Sequence, residues 1–357
     1  MLAPAEINYR HYLDLGEADI FLWLEFTCDV ESLWVDYWIN YWERWFAAYY
    51  PDPLNHIGLI TNVGMREPFR HEWNRVRRIY TDNTMQALMT YHKINNHPIN
   101  QAGFATNGRM LFLTGKPLTV NRLPVLDLID KGRLAAHTTA SLFWNPSLYH
   151  IIEPLGISQD RARELVNKYQ GSPDHLAVDA RSVSGHFHSA GMPYRTDMYA
   201  EHQLCLIPET TVAVSYMYNY CTEKTYRTML NRMPFVILGQ PGTIAHLESR
   251  GYRTFTQYLP YPDYNDWDIA TVQQLREYWP QLEQNCLALL SVDIVEQLRQ
   301  DCEHNYHRLL EENQQMIQTV STATHGQVLY DLESYNKFNW GPQPAGFLWP
   351  IPLPGNS

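Results

Sequence analysis

Residues 205–210 read CLIPET, and after an interval of eleven residues, positions 222–255 read TEKTYRTMLNRMPFVILGQPGTIAHLESRGYRTF. Leu204 to Pro208 fits a short strand, Thr222 to Arg232 has helical spacing, and Pro234 to Leu238 (PFVIL) is an unbroken apolar run of the kind buried on both faces of a sheet. Thr243 to Arg250 predicts a second helix, stopped by Gly251, and Tyr252 to Phe255 predicts a further strand. Strands and helices alternating at this spacing imply a parallel, doubly wound α/β sheet, because a parallel neighbour requires a crossover long enough to hold a helix.

The same alternation extends upstream. Arg109 to Thr114 (RMLFLT) predicts a strand, and Asn121 to Lys131 and Ser158 to Tyr169 predict helices. Before these, Asp19 to Thr27 (DIFLWLEFT) and His56 to Val63 (HIGLITNV) read as strands. Between them lie a Trp- and Tyr-rich helical stretch, Glu31 to Tyr50, and the turn Pro51-Asp52-Pro53. Arg66 to Arg78 is expected to be helical, and another apolar-periodic segment lies around Asn83 to Asn95. The Asn-, Pro- and Gly-rich loop from Asn95 to Gly108 marks a domain boundary, since 357 residues exceed what one hydrophobic core usually organises. The expected units are residues 1–106, residues 107–300, and residues 301–357. The last of these holds the end of a long polar helix (Val292 to Val320) and a Pro-rich tail (Gly341 to Ser357).

Composition excludes several classes of protein. No run approaches the roughly 18 apolar residues of a membrane span, and Met1 to Arg10 has no secretory pattern, which predicts a cytoplasmic protein without membrane contact. Five widely spaced cysteines (Cys28, Cys205, Cys221, Cys286, Cys302) form no C-x-x-C pair and read as buried free thiols. Twenty-seven basic against 38 acidic residues give net charge −11, which opposes general binding to a phosphate backbone. A nucleic-acid surface would need a local patch, and Arg66, Arg70, Arg75, Arg77 and Arg78 on the expected helix, beside His71 and Trp73, are the candidate. A solvated helix face is the alternative reading of that run.

The ordered series from Glu209-Thr210 through Thr222-Glu223-Lys224, Pro234 to Gly239 and Gln240 to Thr243 to Gly251-Phe255 resembles the fucosyltransferase-like glycosyltransferases, including phage-encoded relatives. Leu111 to Arg122 (LFLTGKPLTVNR) adds to the likeness, with Arg122 in what resembles the family's diphosphate-binding place. The resemblance covers residues 109–255 and departs at Thr210, where the better-known members carry Asn. It implies a GT-B fold, two Rossmann-like domains facing a cleft. It further implies sugar transfer from a nucleotide-diphosphate sugar, which serves as co-substrate with no separate cofactor. If the chain is phage-encoded, its compartment is the host cytoplasm.

Chemistry gives these residues distinct tasks. The leaving diphosphate gains negative charge as the glycosidic bond breaks. Lys224, near the start of a helix capped by Thr222, would combine an ammonium with exposed backbone N–H groups and the positive helix end. Arg122 offers a planar fork for phosphate, Glu223 a carboxylate for two ribose hydroxyls, and Glu209 an acceptor for a sugar hydroxyl. Thr222-Glu223 also fits a plain N-cap followed by a first-turn acid, and Arg122 an ordinary helix-start cation. The acceptor hydroxyl must lose a proton, and Glu25 and Asp29, at the end of the first predicted strand and just past it, are the candidate bases, ahead of Glu67 and Glu72. Both also fit as turn residues.

No metal site is expected. His186 and His188 flank Phe187 without a familiar ligand spacing, and Asp263 to Asp268 (DYNDWD) reads as a turn with an Asp cap. The expected function is therefore a metal-independent, inverting glycosyltransferase acting on a hydroxyl of a glycan or small molecule. One alternative acceptor is a hydroxymethylated pyrimidine in phage DNA, and the other alternative is a non-catalytic nucleotide- or carbohydrate-binding protein.

Overall fold

The computed structural model describes residues 8–12, 19–25, 56–61, 76–80, 103–114, 119–142, 155–169, 196–209, 221 and 223–323. The described residues are α/β, and their strands form two four-stranded sheets. The first belongs to one compact unit, and the elements from the second sheet through Glu312 belong to another.

In the first sheet, β1 (Asn8–Tyr12) pairs antiparallel with β2 (Asp19–Glu25), which pairs parallel with β3 (His56–Thr61), itself parallel to β4 (Val76–Tyr80). The strand at 76–80 corrects the end of the helix expected for Arg66 to Arg78, whose earlier residues lie outside the described residues. Val76 pairs with Ile57 and Arg78 with Leu59, so the last two arginines of the run lie on a strand, where successive side chains alternate between faces. Arg77 and Arg78 are thus strand residues, and Arg66, Arg70 and Arg75 lie outside the described residues. The helical stretch expected at Glu31 to Tyr50 and the apolar-periodic segment at Asn83 to Asn95 lie outside the described residues, as does the Pro-rich tail.

The second sheet is entirely parallel, in the order β6-β5-β7-β8, formed by β5 (Met110–Thr114), β6 (Thr138–Leu142), β7 (Leu204–Pro208) and β8 (Phe235–Leu238). Every residue of β7 and β8 is buried, which explains their unbroken apolar sequences. Between β5 and β6 runs α1 (Leu123–Lys131), which buries Leu123, Val125, Leu126 and Ile129. Pro124 in its first turn costs no hydrogen bond because that N–H has no helical partner. α2 (Gln159–Tyr169) and α3 (Thr196–Ala200) precede β7, α4 (Glu223–Leu230) joins β7 to β8, and α5 (Thr243–Ser249) follows β8.

Two longer helices complete the described part of the chain: α6 (Val272–Leu289) and α7 (Val295–Ala323). A capping box opens α6, in which Thr271 Oγ1 accepts from Gln274 N at 3.2 Å and Gln274 Oε1 accepts from Thr271 N at 3.0 Å. Glu283 of α6 reaches the end of α1, where it accepts from Arg133 N at 2.7 Å and Arg133 Nε at 3.0 Å. Gly132 permits that approach, because a Cβ there would overlap the Glu283 carboxylate.

The strand expected at Tyr252 to Phe255 is irregular instead. Its backbone groups find side-chain partners: Arg253 N donates to Asn305 Oδ1 at 2.7 Å, and Asn305 Nδ2 returns a bond to Arg253 O at 2.8 Å. Phe255 then turns left-handed, with φ 66°, into a 3-10 turn over Thr256–Tyr258, and its ring meets Phe235 edge-on at 5.0 Å. The apolar pattern of that stretch was real, but it feeds the core from a loop that α7 holds in place.

Candidate site at the carboxyl edge of the second sheet

From β5 the chain first moves outward to β6, then crosses back past β5 to β7 and continues to β8. The crossovers before and after that reversal leave the sheet in opposite directions, and in open parallel sheets ligands bind at such a point, here the carboxyl ends of β5 and β7. The segments after β5, β7 and β8 meet there, and they contain most of the residues singled out by sequence.

Asn121 is the centre of this edge. It is 1% exposed, and its Nδ2 donates both to Glu209 O and, at 3.2 Å, to Leu238 O. One side chain thus ties the turn after β5 to the ends of β7 and β8. Thr119 Oγ1 donates to Asn121 Oδ1 at 2.7 Å and fixes which way the amide points. Arg122 follows as the N-cap residue of α1, 3% exposed. Its guanidinium is thus nearly removed from water at the carboxyl edge of the parallel sheet.

Glu209 sits directly after β7 and is fully buried. Its backbone N donates to Leu238 O at 2.9 Å, and its carboxylate accepts from Thr225 Oγ1 in the first turn of α4. Its carboxylate is therefore engaged by Thr225. Glu223 and Lys224 are the first two residues of α4, and Lys224 is partly exposed. The structure thus brings Arg122, Glu209, Glu223 and Lys224 to one edge. Thr222, between two described residues, lies outside the described residues.

The loop after β8 is tightly built. A Cβ on Gly239 would approach Ile237 Cγ2 and Thr243 Oγ1 to 3.2 Å each, and Glu209 Cβ to 3.6 Å. Gln240 O accepts from Thr243 N at 3.0 Å and Thr243 Oγ1 at 2.7 Å, and Gly242 takes φ 84° to start α5. Asn265, within the acidic run expected to be a turn, caps α5: its Oδ1 accepts from Ile244 N at 3.0 Å and its carbonyl from Gly242 N at 3.3 Å. That run forms a 3-10 turn over Pro262–Asp266 with Asp263, Asp266 and Asp268 exposed. Among the described residues, no group of three or more His, Cys, Asp and Glu is placed as metal ligands would be.

Glu25 is the last residue of β2 and belongs to the other unit; Asp29, Glu67, Glu72, His186 and His188 lie outside the described residues. The four described cysteines are buried and free, and burial raises the Cys205 thiol to about 12, so it is a core group with no nucleophilic character at neutral pH. Asn121 and Thr225 escaped the sequence reading. Asn and Thr are common in turns and first helical turns, and only their long-range partners set these two apart.

A separate cavity of about 370 Å³ lies past the far end of α5, lined by Glu248, Gly251, Tyr252, Arg253, Thr254, Gln257 and His304. Its polar groups largely satisfy one another. Thr254 and Thr256 hydroxyls bond to Glu248, His304 Nε2 contacts Gly251 O at 2.8 Å, and Gln257 Nε2 donates to Asp301 at 2.8 Å. The carboxyl edge is the stronger candidate because its buried polar groups converge from three separate crossovers. No protein-family model matches the chain, and no curated protein or solved structure matches it at a level that separates kinship from chance. No helix among the described residues is long and apolar enough to cross a membrane.

Proposed function

We propose that the chain is a GT-B type glycosyltransferase whose residues 107–300 bind a nucleotide-diphosphate sugar and whose residues 1–106 present the acceptor. The observation that carries this reading is the meeting of Asn121-Arg122, Glu209 and Glu223-Lys224-Thr225 at the switch end of a parallel sheet, bridged by the Asn121 amide. In this reading Lys224 and Arg122 stabilise the departing diphosphate and Glu223 takes the ribose hydroxyls. Glu209, held by Thr225, positions the first turn of α4 and lies against the donor sugar. Glu25 or Asp29 removes the acceptor proton.

The acceptor is a glycan or small-molecule hydroxyl. The modified-DNA alternative has less support, since Arg77 and Arg78 lie on a strand in place of the expected helix and the net charge is −11. A panel of nucleotide sugars tests the reading by thermal stabilisation, because a ligand that binds only the folded state raises its melting temperature. One donor should stabilise the protein well above the others and be slowly hydrolysed or transferred. Stabilisation without hydrolysis or transfer would favour the non-catalytic binding protein, and no stabilisation by any donor would overturn both. Tight, salt-sensitive binding to unmodified duplex DNA at low salt would instead promote the DNA acceptor.

A further inference from the structure

We propose that Gln240 is a specificity residue of this site, whose side-chain carbonyl accepts a hydrogen bond from an N–H on the edge of the donor's nucleobase. The inference rests on the nucleotide-sugar reading and adds the group that reads the base. Gln240 is 3% exposed, and its Oε1 is buried without a hydrogen-bond partner. Burying an acceptor without a donor is costly, and native folds keep few such groups.

The surroundings make this vacancy hard to attribute to a loose loop. On both sides of Gln240 the backbone is fixed: Gly239 has no room for a Cβ without displacing Ile237 or Thr243, and Gly242 is anchored to Asn265. The main-chain carbonyl of Gln240 is itself doubly bonded by Thr243. A loop held this firmly keeps the carboxamide in place without satisfying its oxygen. Gly239 also packs beside Glu209, which puts the loop at the same carboxyl edge as Asn121 and the start of α4. A carboxamide presents an acceptor beside a donor, the two-point pattern that matches nucleobase edges. The phosphates and ribose are assigned to charged groups on the other crossovers, so a neutral amide is left to face the base.

The test compares wild type with Gln240→Met, which keeps the length and bulk of the side chain and removes its hydrogen bonding. Uridine, guanosine, cytidine and adenosine diphosphates are titrated by calorimetry, with inorganic pyrophosphate as the probe that has no base. The expected result is a melting temperature at or above wild type, about tenfold or greater loss of affinity for the preferred nucleoside diphosphate, and unchanged pyrophosphate binding. Equal nucleotide affinity in the two proteins overturns the role of Gln240 and leaves the transferase reading standing. Equal loss for pyrophosphate and nucleotide also overturns it, because the substitution then acts on the site as a whole. Failure of the wild type to bind any nucleoside diphosphate removes the transferase reading and this inference together. Should Gln240→Met not fold, the side-chain amide resonances of Gln240 in wild type carry the test: they must shift on adding the preferred nucleotide and stay unmoved with pyrophosphate.

Discussion

The two sheets use similar apolar strands but order them differently. In the first, β2, β3 and β4 are laid down side by side in chain order, so its described parallel strands contain no reversal. In the second, the chain starts in the middle at β5, goes out to β6 and returns to β7, so two crossovers diverge from one point. A monotonic order carries successive connections the same way across a sheet, whereas a reversal parts them and leaves backbone ends facing an open crevice. Under the proposed function the donor chemistry belongs to the second unit, and changes there and at Glu25 should then fail in different ways.

The largest effect should follow Lys224→Ala. In the proposed transferase its ammonium matters most as the diphosphate leaves, so turnover should fall about 100-fold or more, while Glu223→Ala should act mainly on donor affinity. Arg122→Lys keeps charge but loses the fork and should be damaging for the same phosphate group. Glu25→Gln and Asp29→Asn, from the other unit, should lower turnover with donor affinity unchanged. Steady-state kinetics and donor titration on folded variants separate these outcomes. Normal donor binding and turnover in both Lys224→Ala and Glu223→Ala would break the contrast between the sheets.

A second class of charged groups in the same unit serves stability. Arg161 of α2 donates to Asp127 and Asp130 of α1 at 2.7 Å each and also pairs with Glu164 at 2.7 Å. Asp127 and Asp130 are almost fully buried, and Arg161→Ala leaves Asp127 with Lys131 and Asp130 with Lys168 and Tyr169 but removes the guanidinium that bridges the two carboxylates. Because Arg161 itself is partly solvated, the expected loss is about 2 kcal/mol, below the range for a fully buried pair. Urea unfolding measures it, and donor affinity should stay at the wild-type value. A weakened donor site with unchanged stability would show that this cluster had been assigned to the wrong task.

Protonation gives a smaller version of the same effect. Burial by itself would raise the Asp130 carboxyl, but hydrogen bonds from Lys168, Tyr169 and Arg161 outweigh it and lower its pKa from 3.8 to about 2. The folded state therefore binds fewer protons than the unfolded state between those values. Its contribution is complete above about pH 4 and is lost as pH falls toward 2, so unfolding free energy should drop across that window. Asp130→Asn should flatten this part of the profile, as read by urea titrations at each pH.

What was legible in the sequence follows from the same physics. Strands β5, β7 and β8 and helices α1, α2, α4 and α5 announced themselves because burial on one stripe or both faces writes a period into the chain. β6 (TTASL) did not, since an edge strand of small and polar residues carries little apolar signal. For α6, a helix was expected after the acidic run but without bounds, with Pro280 in its interior, although Thr271 and Gln274 at its start have the spacing of a capping box. At the site, the charged residues stood out by type. Asn121 and Thr225 did not, because their importance lies in contacts made across 88 and 16 positions of chain.

The smallest expected effect is that of chelation, which should leave activity unchanged. A transferase can stabilise the departing diphosphate with a divalent ion or with fixed cations, and the two solutions differ in what the carboxylates must do. A metal needs acidic ligands facing the diphosphate. At this edge the buried carboxylate of Glu209 already accepts from Thr225, and the acidic run at 263–268 caps α5 through Asn265 while its aspartates face solvent. The cations, by contrast, stand at helix starts: Arg122 at the N-cap of α1 and Lys224 in the first turn of α4. There the backbone N–H groups add partial positive charge in the same place. Rates measured with excess chelator should therefore match rates with added magnesium or manganese. Loss with chelator and recovery with manganese would return Asp263, Asp266 and Asp268 to the active site, and the leaving-group role of Lys224 and Arg122 would have to be given up.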